Sequence, residues 1–245
     1  MNQRQKKLCE ILRTEGETTI GRLALLLNVS EMTVYRDAAI LEQLGVLYKK
    51  RGALAYRESD SISDHYIDEK RAIAKVAASM ICQGDTVLFD NSTTALEVAR
   101  HLKDRKGITV YATNLEVANA LCQNRDIILY VGGGYYAHDS MGFVGGFAEQ
   151  FVSQIHADKC IVGTGGVHLK YGLTCPYPSH AVLQRKIMAA ADEVILVVDH
   201  TKFGKAAPDQ IAGLEAVNRV ITDNAVSEEW KQYFGNRLTV AEADE

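Results

Sequence analysis

The 245-residue sequence has no apolar run near the roughly 18 to 20 residues that a helix needs to cross a bilayer. Its start, Met1 to Lys7, is polar and charged, and no apolar stretch follows as it would in a signal peptide. These absences predict a cytoplasmic protein with no membrane partner. The composition, 47% hydrophobic and 24% charged, excludes a disordered, collagen-like or coiled-coil chain.

Cysteine pairs and nucleotide motifs are also missing. The five cysteines are an odd number, widely spaced and without a Cys-x-x-Cys pair, which predicts reduced, mostly buried thiols. Neither a disulfide framework nor a thiolate metal site is expected. There is no Walker A motif and no Gly-x-Gly-x-x-Gly fingerprint, so nucleoside triphosphates and NAD are disfavoured. We expect no metal and no cofactor.

The net charge of -4 is unevenly distributed. Residues 1–57 hold ten Lys or Arg against six Asp or Glu, a balance of +4, whereas residues 58–245 hold 17 against 25, a balance of -8. A small basic segment on a larger acidic one indicates that the first part meets a polyanion and the second has another task.

Apolar residues at helical spacing predict three short helices in the basic segment. The first ends at Gly16, the second begins at Thr18-Thr19, and Ser30 is a suitable N-cap for the third, which ends before Gly45. The tight link between the second and third helices is typical of a helix-turn-helix, whose third helix presents its N-terminal residues to base edges in the major groove.

Two short strands follow, Val46 to Tyr48 and Ala53 to Tyr56, joined by a tip with three cations. Such a basic hairpin predicts a winged helix-turn-helix, because a wing can neutralise DNA phosphates. The alternative is a small helical bundle with a solvated charged loop. The candidate DNA-binding residues lie on the free face of the third helix and on the wing: Ser30, Met32, Thr33, Tyr35, Arg36, Lys49, Lys50 and Arg51.

Residues 58–66 are rich in Ser and Asp and have no periodicity, so we place a linker there, between a DNA-binding domain at 1–57 and a larger domain at 67–245. In the larger domain, six apolar strands alternate with helical stripes. This alternation predicts an α/β fold with a mostly parallel sheet covered on both faces. Ligands of such sheets sit at the carboxyl ends of the strands.

The predicted strands end in polar or glycine-rich stretches, which are Asp90 to Thr94, Thr113-Asn114, Gly132 to Gly134, Gly163 to Gly166 and Asp199 to Lys205. Hydroxyls and free backbone N–H groups at a helix N-terminus suit a phosphate, although Ser92 and its neighbours are equally explained as an N-cap. Each stretch alone is weak evidence. Together they describe a pocket with hydroxyls, amides, a carboxylate and lysines, which fits a phosphorylated polyol.

The stretch from Val29 to Asp37, the segment Leu41 to Gly45 and the wing together resemble the DNA-binding signature of the DeoR family of bacterial sugar-catabolism regulators. The sequence departs from this signature at two places. The family's usual Arg-Arg-Asp is replaced by Tyr35-Arg36-Asp37, and its usual His-Gly-Gly-Ala in the wing is replaced by Arg51-Gly52-Ala53. Arg36 is the best candidate for a base or phosphate contact, and Asp37 is a candidate for orienting the helix instead.

The larger domain also resembles the family's effector domain, which is similar in fold to sugar-phosphate isomerases and binds a phosphorylated sugar that alters DNA affinity. Three stretches resemble regulators of deoxyribose catabolism in particular, which are Val167-His168, Gly172 to Cys175 and Val198 to His200. The resemblance implies that Ser92, Thr93 and Thr94 hold phosphate, that Asp90 binds a hydroxyl, and that lysines supply charge. The full effector set is Lys70, Asp90, Ser92, Thr93, Thr94, Thr113, Asn114, Gly132, Gly133, Gly165, Gly166, Asp199, Lys202 and Lys205.

One departure lies before Gln184-Arg185-Lys186, where Ser179-His180-Ala181 stands in place of the family's usual acidic pair. We expect the loss of those acids to change the sugar that is recognised or to weaken its recognition. His180 is either a substitute hydrogen-bonding group or an ordinary surface-loop histidine.

The resemblance implies a transcriptional regulator, more often a repressor, of a carbohydrate-catabolism operon, with operator DNA and a sugar phosphate as partners. A helix-turn-helix binds one half-site, so we also expect a homo-oligomer. The alternative is a sugar-phosphate isomerase with an appended DNA-binding module, for which His168 and Asp199 are the remaining candidates for a general base. In a third interpretation, the larger domain only oligomerises.

Overall fold

The computed structural model describes residues 3–43, 47–50, 52–56, 66–138 and 140–242. It describes only the backbone of residues 3, 13, 42, 43, 48, 50 and 56. The chain divides into two compact units, Met1–His65 and Tyr66–Glu245. The segment predicted as a linker, 58–66, lies outside the described residues except for Tyr66.

The described residues of the first unit form three helices and three short strands. In chain order they are α1 Gln3–Glu15, β1 Thr18–Thr19, α2 Ile20–Leu27, α3 Glu31–Gln43, β2 Leu47–Lys50 and β3 Ala53–Tyr56. The strands form an antiparallel sheet in the order β1-β3-β2. Thr18-Thr19, predicted as the start of a helix, forms the third strand of this sheet, and Thr19 then caps α2 through its hydroxyl.

The apolar stripes of the three helices meet in one small core. Leu8 and Leu23 are fully enclosed, as are Val34, Ala38 and Leu41 on the predicted inner face of α3. Leu47 and Leu54 close this core from the wing strands. The helical periodicity of the sequence therefore identified the buried face correctly.

The second unit begins with α4 and alternates strands with helices. Its helices are α4 Ile67–Ser79, α5 Thr93–His101, α6 Leu115–Leu121, α7 Gly146–Ser153, α8 Pro178–Ala189 and α9 Glu228–Phe234. Its strands are β4 Thr86–Phe89, β5 Ile108–Ala112, β6 Ile127–Val131, β7 Tyr135–Ala137, β8 Gly142–Val144, β9 Ala157–Val162, β10 Gly166–His168, β11 Gly172–Cys175, β12 Ala191–Val197, β13 Asp209–Ala212, β14 Arg219–Asp223 and β15 Leu238–Ala241.

Seven strands form the central sheet in the order β15-β14-β12-β9-β4-β5-β6, and every neighbouring pair is parallel. The chain fills one side first, from β4 through β5 to β6, and then returns to β9 on the other side of β4. The strand order therefore reverses between β4 and β9. In open α/β sheets this switch point, at the carboxyl ends of the strands, is where ligands bind.

Two apolar layers cover the faces of the sheet. Ile73, Ala77, Val98 and Leu121 pack on one face, and Val152, Leu183, Ile187 and Trp230 on the other. The predicted fold class, a winged helix-turn-helix followed by a parallel α/β domain, is confirmed.

Short antiparallel additions stand beside the central sheet. Strands β7 and β8 form a hairpin, and β10, β11 and β13 form a three-stranded sheet. Neither was predicted, nor was β15 at the edge of the main sheet. Cys9, Cys160 and Cys175 are buried thiols, as expected, but Cys82 and Cys122 are exposed.

Over the described ranges, no helix combines the length and apolar content required to cross a bilayer. Within the same residues, no group of three or more His, Cys, Asp or Glu side chains is arranged to hold a metal ion.

Candidate functional site

Helix α3 begins after a tight turn that its sequence fixes. Asn28 ends α2 in the left-handed conformation, with φ of 53°, which asparagine tolerates better than most residues. The Ser30 hydroxyl accepts a hydrogen bond from the Thr33 N–H at 3.3 Å and lies 2.9 Å from the Thr33 hydroxyl. This N-cap holds the first turn of α3 in place.

The outer face of α3 presents side chains that the unit's own core does not use. Met32 is 68% exposed and Tyr35 is 45% exposed, while Arg36 is also exposed and Thr33 is half-buried. Two large apolar or aromatic side chains in water beside a guanidinium suit contact with base edges and phosphates. The structure thus brings four of the predicted DNA-binding residues onto one surface, next to the Ser30 cap.

Asp37 faces inward and anchors the helix. Its carboxylate is buried and accepts hydrogen bonds from Arg4 Nε at 2.5 Å and from Gln5 Nε2 at 3.2 Å. Because both donors lie on α1, Asp37 fixes the orientation of α3 against α1. The helix-orienting role considered for Asp37 is confirmed.

The wing is the hairpin of β2 and β3, with Gly52 at its tip. Gly52 has φ of +86°, a conformation that a residue with a Cβ rarely adopts. Lys49 is exposed. Arg51 lies outside the described residues, and the side chain of Lys50 is not described.

At the switch point of the second unit, Asp90 follows β4 and Gly163 follows β9. The Asp90 carboxylate accepts hydrogen bonds from the Gly163 N–H at 2.8 Å and from Gln184 Nε2 at 2.7 Å, both on Oδ2, and from the Ser92 N–H at 2.8 Å on Oδ1. Asp90 therefore joins two strands and helix α8 at the one place where the strand order reverses.

Asp90 is fully enclosed, and its burial raises the pKa of its carboxyl above the ordinary value. Nearby on α8, burial lowers the pKa of His180, an effect that the Asp90 charge opposes. Burial thus favours the neutral forms of both groups. A group with perturbed protonation at a strand-end crevice is a common mark of a ligand site.

Helix α5 begins at this crevice with three hydroxyl residues. The Ser92 hydroxyl accepts a hydrogen bond from the Ala95 N–H at 3.2 Å, so Ser92 is an N-cap. Thr93 is half-buried and Thr94 is buried in the first turn. The cap interpretation of Ser92 is confirmed. The helix dipole favours negative charge at this end of α5.

Thr113 and Asn114 follow β5 and are buried. The Thr113 hydroxyl donates to Asn91 Oδ1 at 2.8 Å, which ties this strand end to the neighbouring loop. Asn114 caps α6 by accepting from the Glu116 N–H at 2.7 Å. Their side chains hold the loops that shape the crevice.

The glycines at the strand ends allow close approach of neighbouring groups. A Cβ on Gly163 would stand 2.5 Å from the Cβ and hydroxyl of Ser92, so a larger residue would force neighbouring atoms to shift. A Cβ on Gly166 would likewise clash with the Lys205 carbonyl. The Gly165 N–H donates to the Thr174 carbonyl. The Gly132 N–H donates to the Ala112 carbonyl, whereas Gly133 is exposed with open space around it.

Asp199 opens a short 3-10 turn, His200–Lys202, after β12. Its carboxylate accepts hydrogen bonds from the N–H and the hydroxyl of Thr201. The loop then lies along β10, since the Gly204 N–H donates to the Val167 carbonyl at 2.8 Å. The predicted residues of this loop form a second group around β10, beside the Asp90 group.

The three predicted lysines differ in exposure. Lys202 on the Asp199 loop is half-buried, Lys205 is exposed, and Lys70 is buried in α4. Tyr66, at the start of α4, packs edge-on against His200 with ring centroids 5.3 Å apart. This contact places the first turn of α4 at the same edge of the sheet as the Asp199 loop.

Three buried polar residues near Asp90 are not in the predicted effector set, namely Asn91, His180 and Gln184, although a hydrogen-bonding role was one of the two alternatives for His180. Each has a buried side-chain atom without a hydrogen-bond partner, which are Asn91 Nδ2, His180 Nε2 and Gln184 Oε1. His180 lies in the first turn of α8 and not in a surface loop. The spacing of His180 and Gln184, one helical turn apart, is the sequence signal that could have paired them.

The model of the DeoR C-terminal sensor domain matches residues 65–224, and that of the DeoR-like helix-turn-helix domain matches residues 4–60. The chain belongs to the DeoR family. The transcriptional repressor AccR of Agrobacterium fabrum is 35% identical over 229 residues, which cover 90% of this chain and 89% of that protein.

Other DeoR-family relatives have similar coverage. The HTH-type transcriptional regulator GolR of Listeria innocua is 29% identical and covers 92% of this chain and 91% of its own. A putative aga operon transcriptional repressor of Escherichia coli O157:H7 is 27% identical, over 92% of this chain and 87% of that protein. These relatives are regulators, so the chain is a DNA-binding transcriptional regulator, and the isomerase alternative is not favoured.

Among solved structures, ribose 5-phosphate isomerase A from Methanocaldococcus jannaschii is similar to this chain, with a TM-score of 0.42 and 19% identity. The match covers 56% of this chain and 55% of that chain.

Proposed function

We propose that this regulator represses a carbohydrate-catabolism operon and leaves its operator when a phosphorylated sugar binds at the carboxyl edge of the central sheet. The observation that supports this most is the contact between Asp90 and Gly163 at the switch point, beside the N-terminus of α5. A carboxylate and an anion-binding helix end, side by side, match a ligand with hydroxyls at one end and phosphate at the other.

In this proposal, phosphate lies on the first turn of α5, against Thr93 and Thr94. Lys202, on the neighbouring loop, supplies positive charge, with Lys70 and Lys205 as further candidates. Thr113, Asn114 and the strand-end glycines shape the crevice. The Asp90 and Asp199 carboxylates face the hydroxyl-bearing part of the ligand.

For the first unit, we propose that α3 enters the major groove through Thr33, Tyr35 and Arg36, with Ser30 and Met32 beside them. The cations of the wing, Lys49, Lys50 and Arg51, then neutralise phosphates. The division of labour is DNA binding by residues 1–57 and effector binding by residues 67–245, joined by a linker at 58–66.

We also propose a cytoplasmic homo-oligomer. One helix-turn-helix contacts one half-site, so specific operator binding by this family member needs a second copy of the chain. Light scattering of the full chain across a concentration series tests this part directly.

The central test is a gel-shift titration on the DNA upstream of the protein's own gene, at fixed salt, with a panel of pentose and hexose phosphates. We expect specific binding that one compound releases. Specific binding that no sugar phosphate alters would refute the effector class and leave the DNA-binding role intact.

A pair of lysine variants sharpens the test. Lys202→Ala should abolish release by the effector and spare operator affinity, because the substitution removes a cation from the proposed phosphate site. Lys106→Ala is the matched control, since Lys106 lies just before β5, at the opposite edge of the sheet. Normal release by Lys202→Ala would remove Lys202 from the site.

A further inference from the structure

Gln184 has an amide whose orientation is fixed by its neighbours. Its Nε2 donates to Asp90 Oδ2 at 2.7 Å and to the Gly163 carbonyl at 2.5 Å. Both partners are acceptors, so turning the amide would bring three oxygens together. The Gln184 Oε1 atom therefore points away from Asp90, and it is buried without a hydrogen-bond partner.

His180 lies one helical turn earlier on α8, on the same side of the helix as Gln184. Its Nε2 is also buried without a partner, although part of the residue is exposed. The imidazole lies close enough to Asp90 to interact with its charge. Native proteins rarely leave buried polar atoms unpaired, and two neighbouring ones at a ligand crevice point to a group that the ligand supplies.

The chemistry of the two atoms selects that group. Gln184 Oε1 can only accept a hydrogen bond, whereas Nε2 of a neutral imidazole can donate or accept. A hydroxyl satisfies both, because it donates one hydrogen bond and accepts another. A phosphate dianion or a carboxylate has no proton to donate to Gln184 Oε1, so the anionic end of the ligand belongs elsewhere.

We propose that His180 and Gln184 are specificity-determining residues that together hydrogen-bond one hydroxyl at the sugar end of the effector. This inference rests on the proposed function, since it needs a sugar phosphate in the crevice. Burial lowers the pKa of His180, which favours the neutral imidazole. A neutral imidazole can donate its Nε2–H to the hydroxyl oxygen.

The test uses the full chain and two kinds of probe, inorganic phosphate and the pentose and hexose phosphates of the gel-shift panel. Calorimetric Kd values are measured for the wild-type protein, His180→Leu, His180→Gln and the control Ser179→Ala, an exposed neighbour. We expect His180→Leu to raise the Kd of the sugar phosphate about tenfold and the Kd of inorganic phosphate less than about twofold. His180→Gln should restore the wild-type Kd of the sugar phosphate.

If His180→Leu raised the Kd of both probes equally, or changed neither, the inference would be overturned, but a sugar phosphate would remain the effector class. If no sugar phosphate binds the wild-type protein, the inference and the effector class both fail. A second experiment varies the ligand and uses only the wild-type protein, so its result does not depend on whether a variant folds. In the wild-type protein, one deoxy analogue of the bound sugar phosphate should bind about tenfold more weakly, and failure of every deoxy analogue to do so would overturn the inference.

A second inference comes from Tyr66, the first described residue after the segment between the two units. It is held in the left-handed conformation, with φ of 62°, and its side chain makes no cap to α4. Such a backbone is unfavourable for a bulky residue and persists only where other contacts fix it. Its carbonyl accepts a hydrogen bond from the Lys70 N–H at 3.0 Å, and its ring packs edge-on against His200.

His200 is itself firmly held. Its N–H and its Nδ1 contact the two oxygens of Asp223, each at 2.7 Å. It follows Asp199 directly and shares a 3-10 turn with Lys202. The residue at which the chain enters the second unit therefore touches the loop assigned to the effector.

We infer that the Tyr66–His200 contact couples occupation of the effector loop to the segment leading to the DNA-binding unit. The coupling is the ratio of operator Kd with and without the panel compound that releases the wild-type protein. Tyr66→Leu should lower this ratio at least fivefold and keep the Kd of that compound within about twofold, whereas Tyr66→Phe keeps the ring and the full ratio.

An unchanged ratio in Tyr66→Leu would overturn this inference. Asp223→Asn provides a second test, because it weakens the hydrogen bonds that hold His200 and leaves Tyr66 unchanged. It should also lower the ratio of operator Kd values. Loss of effector binding in both variants would instead mean that the contact is needed for the structure of the effector site. That result also contradicts coupling.

Discussion

The outer face of α3 and the carboxyl edge of the central sheet expose their proposed binding residues very differently. Met32 and Arg36 stand in solvent, while Asp90 and Thr113 are fully enclosed. On α3, the fold does not depend on the side chains that would touch DNA. At the sheet edge, the polar side chains also hold the loops together, so binding and stability cannot be separated there.

The largest effect of this difference is expected for Asp90→Ala. The substitution leaves the N–H groups of Ser92 and Gly163 without their acceptor and removes one of the two acceptors of the Gln184 amide. We therefore expect a loss of about 3 kcal/mol or more in the free energy of unfolding. Urea denaturation of the full chain measures it. Asp104→Ala, at an exposed carboxylate, should change stability by less than about 0.5 kcal/mol. Similar values for the two variants would contradict the structural role of Asp90.

A smaller loss is expected for Gly163→Ala. The new methyl group would stand 2.5 Å from the Ser92 side chain, and overpacking of this kind costs about 1 to 3 kcal/mol. Gly133→Ala is the matched control, because open space surrounds Gly133. Thermal denaturation compares the two, and an equal melting temperature would place Ser92 farther from Gly163 than the structure does.

Thr113→Val should cost about 1 kcal/mol, because it removes the hydrogen bond to Asn91 while keeping the shape of the side chain. Thr222 offers a close comparison, since it is equally buried but its hydroxyl has no partner. Thr222→Val should therefore be neutral or stabilising. A loss of the same size in both variants would show that burial, and not the hydrogen bond, decides the outcome.

The smallest change in stability is expected for Arg36→Ala, within about 0.5 kcal/mol, because the side chain is exposed and alanine favours a helix. Operator affinity should nevertheless fall at least about tenfold. A gel shift with Arg71→Ala, an exposed arginine of the second unit, provides the control. Unchanged operator affinity in Arg36→Ala would exclude Arg36 from the DNA-binding surface and remove the contrast between the two regions.

The regular elements were predictable because their periodicity is local. All six predicted strands of the second unit are present, and the inner face of α3 was assigned correctly. The pair Thr18-Thr19 was assigned to a helix start because a two-residue strand has no period, and only pairing with β3 defines it. Strands β7, β8 and β10 are short and bounded by glycines, and β15 depends on its neighbour β14 for pairing.

The candidate site was predicted in part for the same reason. Asp90, Ser92 and Thr113 follow strands, so their positions could be inferred from strand ends alone. Gln184 and His180 lie within a helix far along the chain, and only tertiary packing brings that helix over β4 and β9. A sequence pattern does not contain this contact.

The hydrogen bond between Asp90 and Gly163 joins residues 73 positions apart. A chain that has assembled only β4, β5 and β6 has one wall of the crevice and no ligand site. The proposed effector would then bind only the chain whose sheet is complete. Its binding would therefore increase the free energy of unfolding. Cells growing on the inducing sugar would accordingly hold a longer-lived, more protease-resistant regulator at the time when its operator is free.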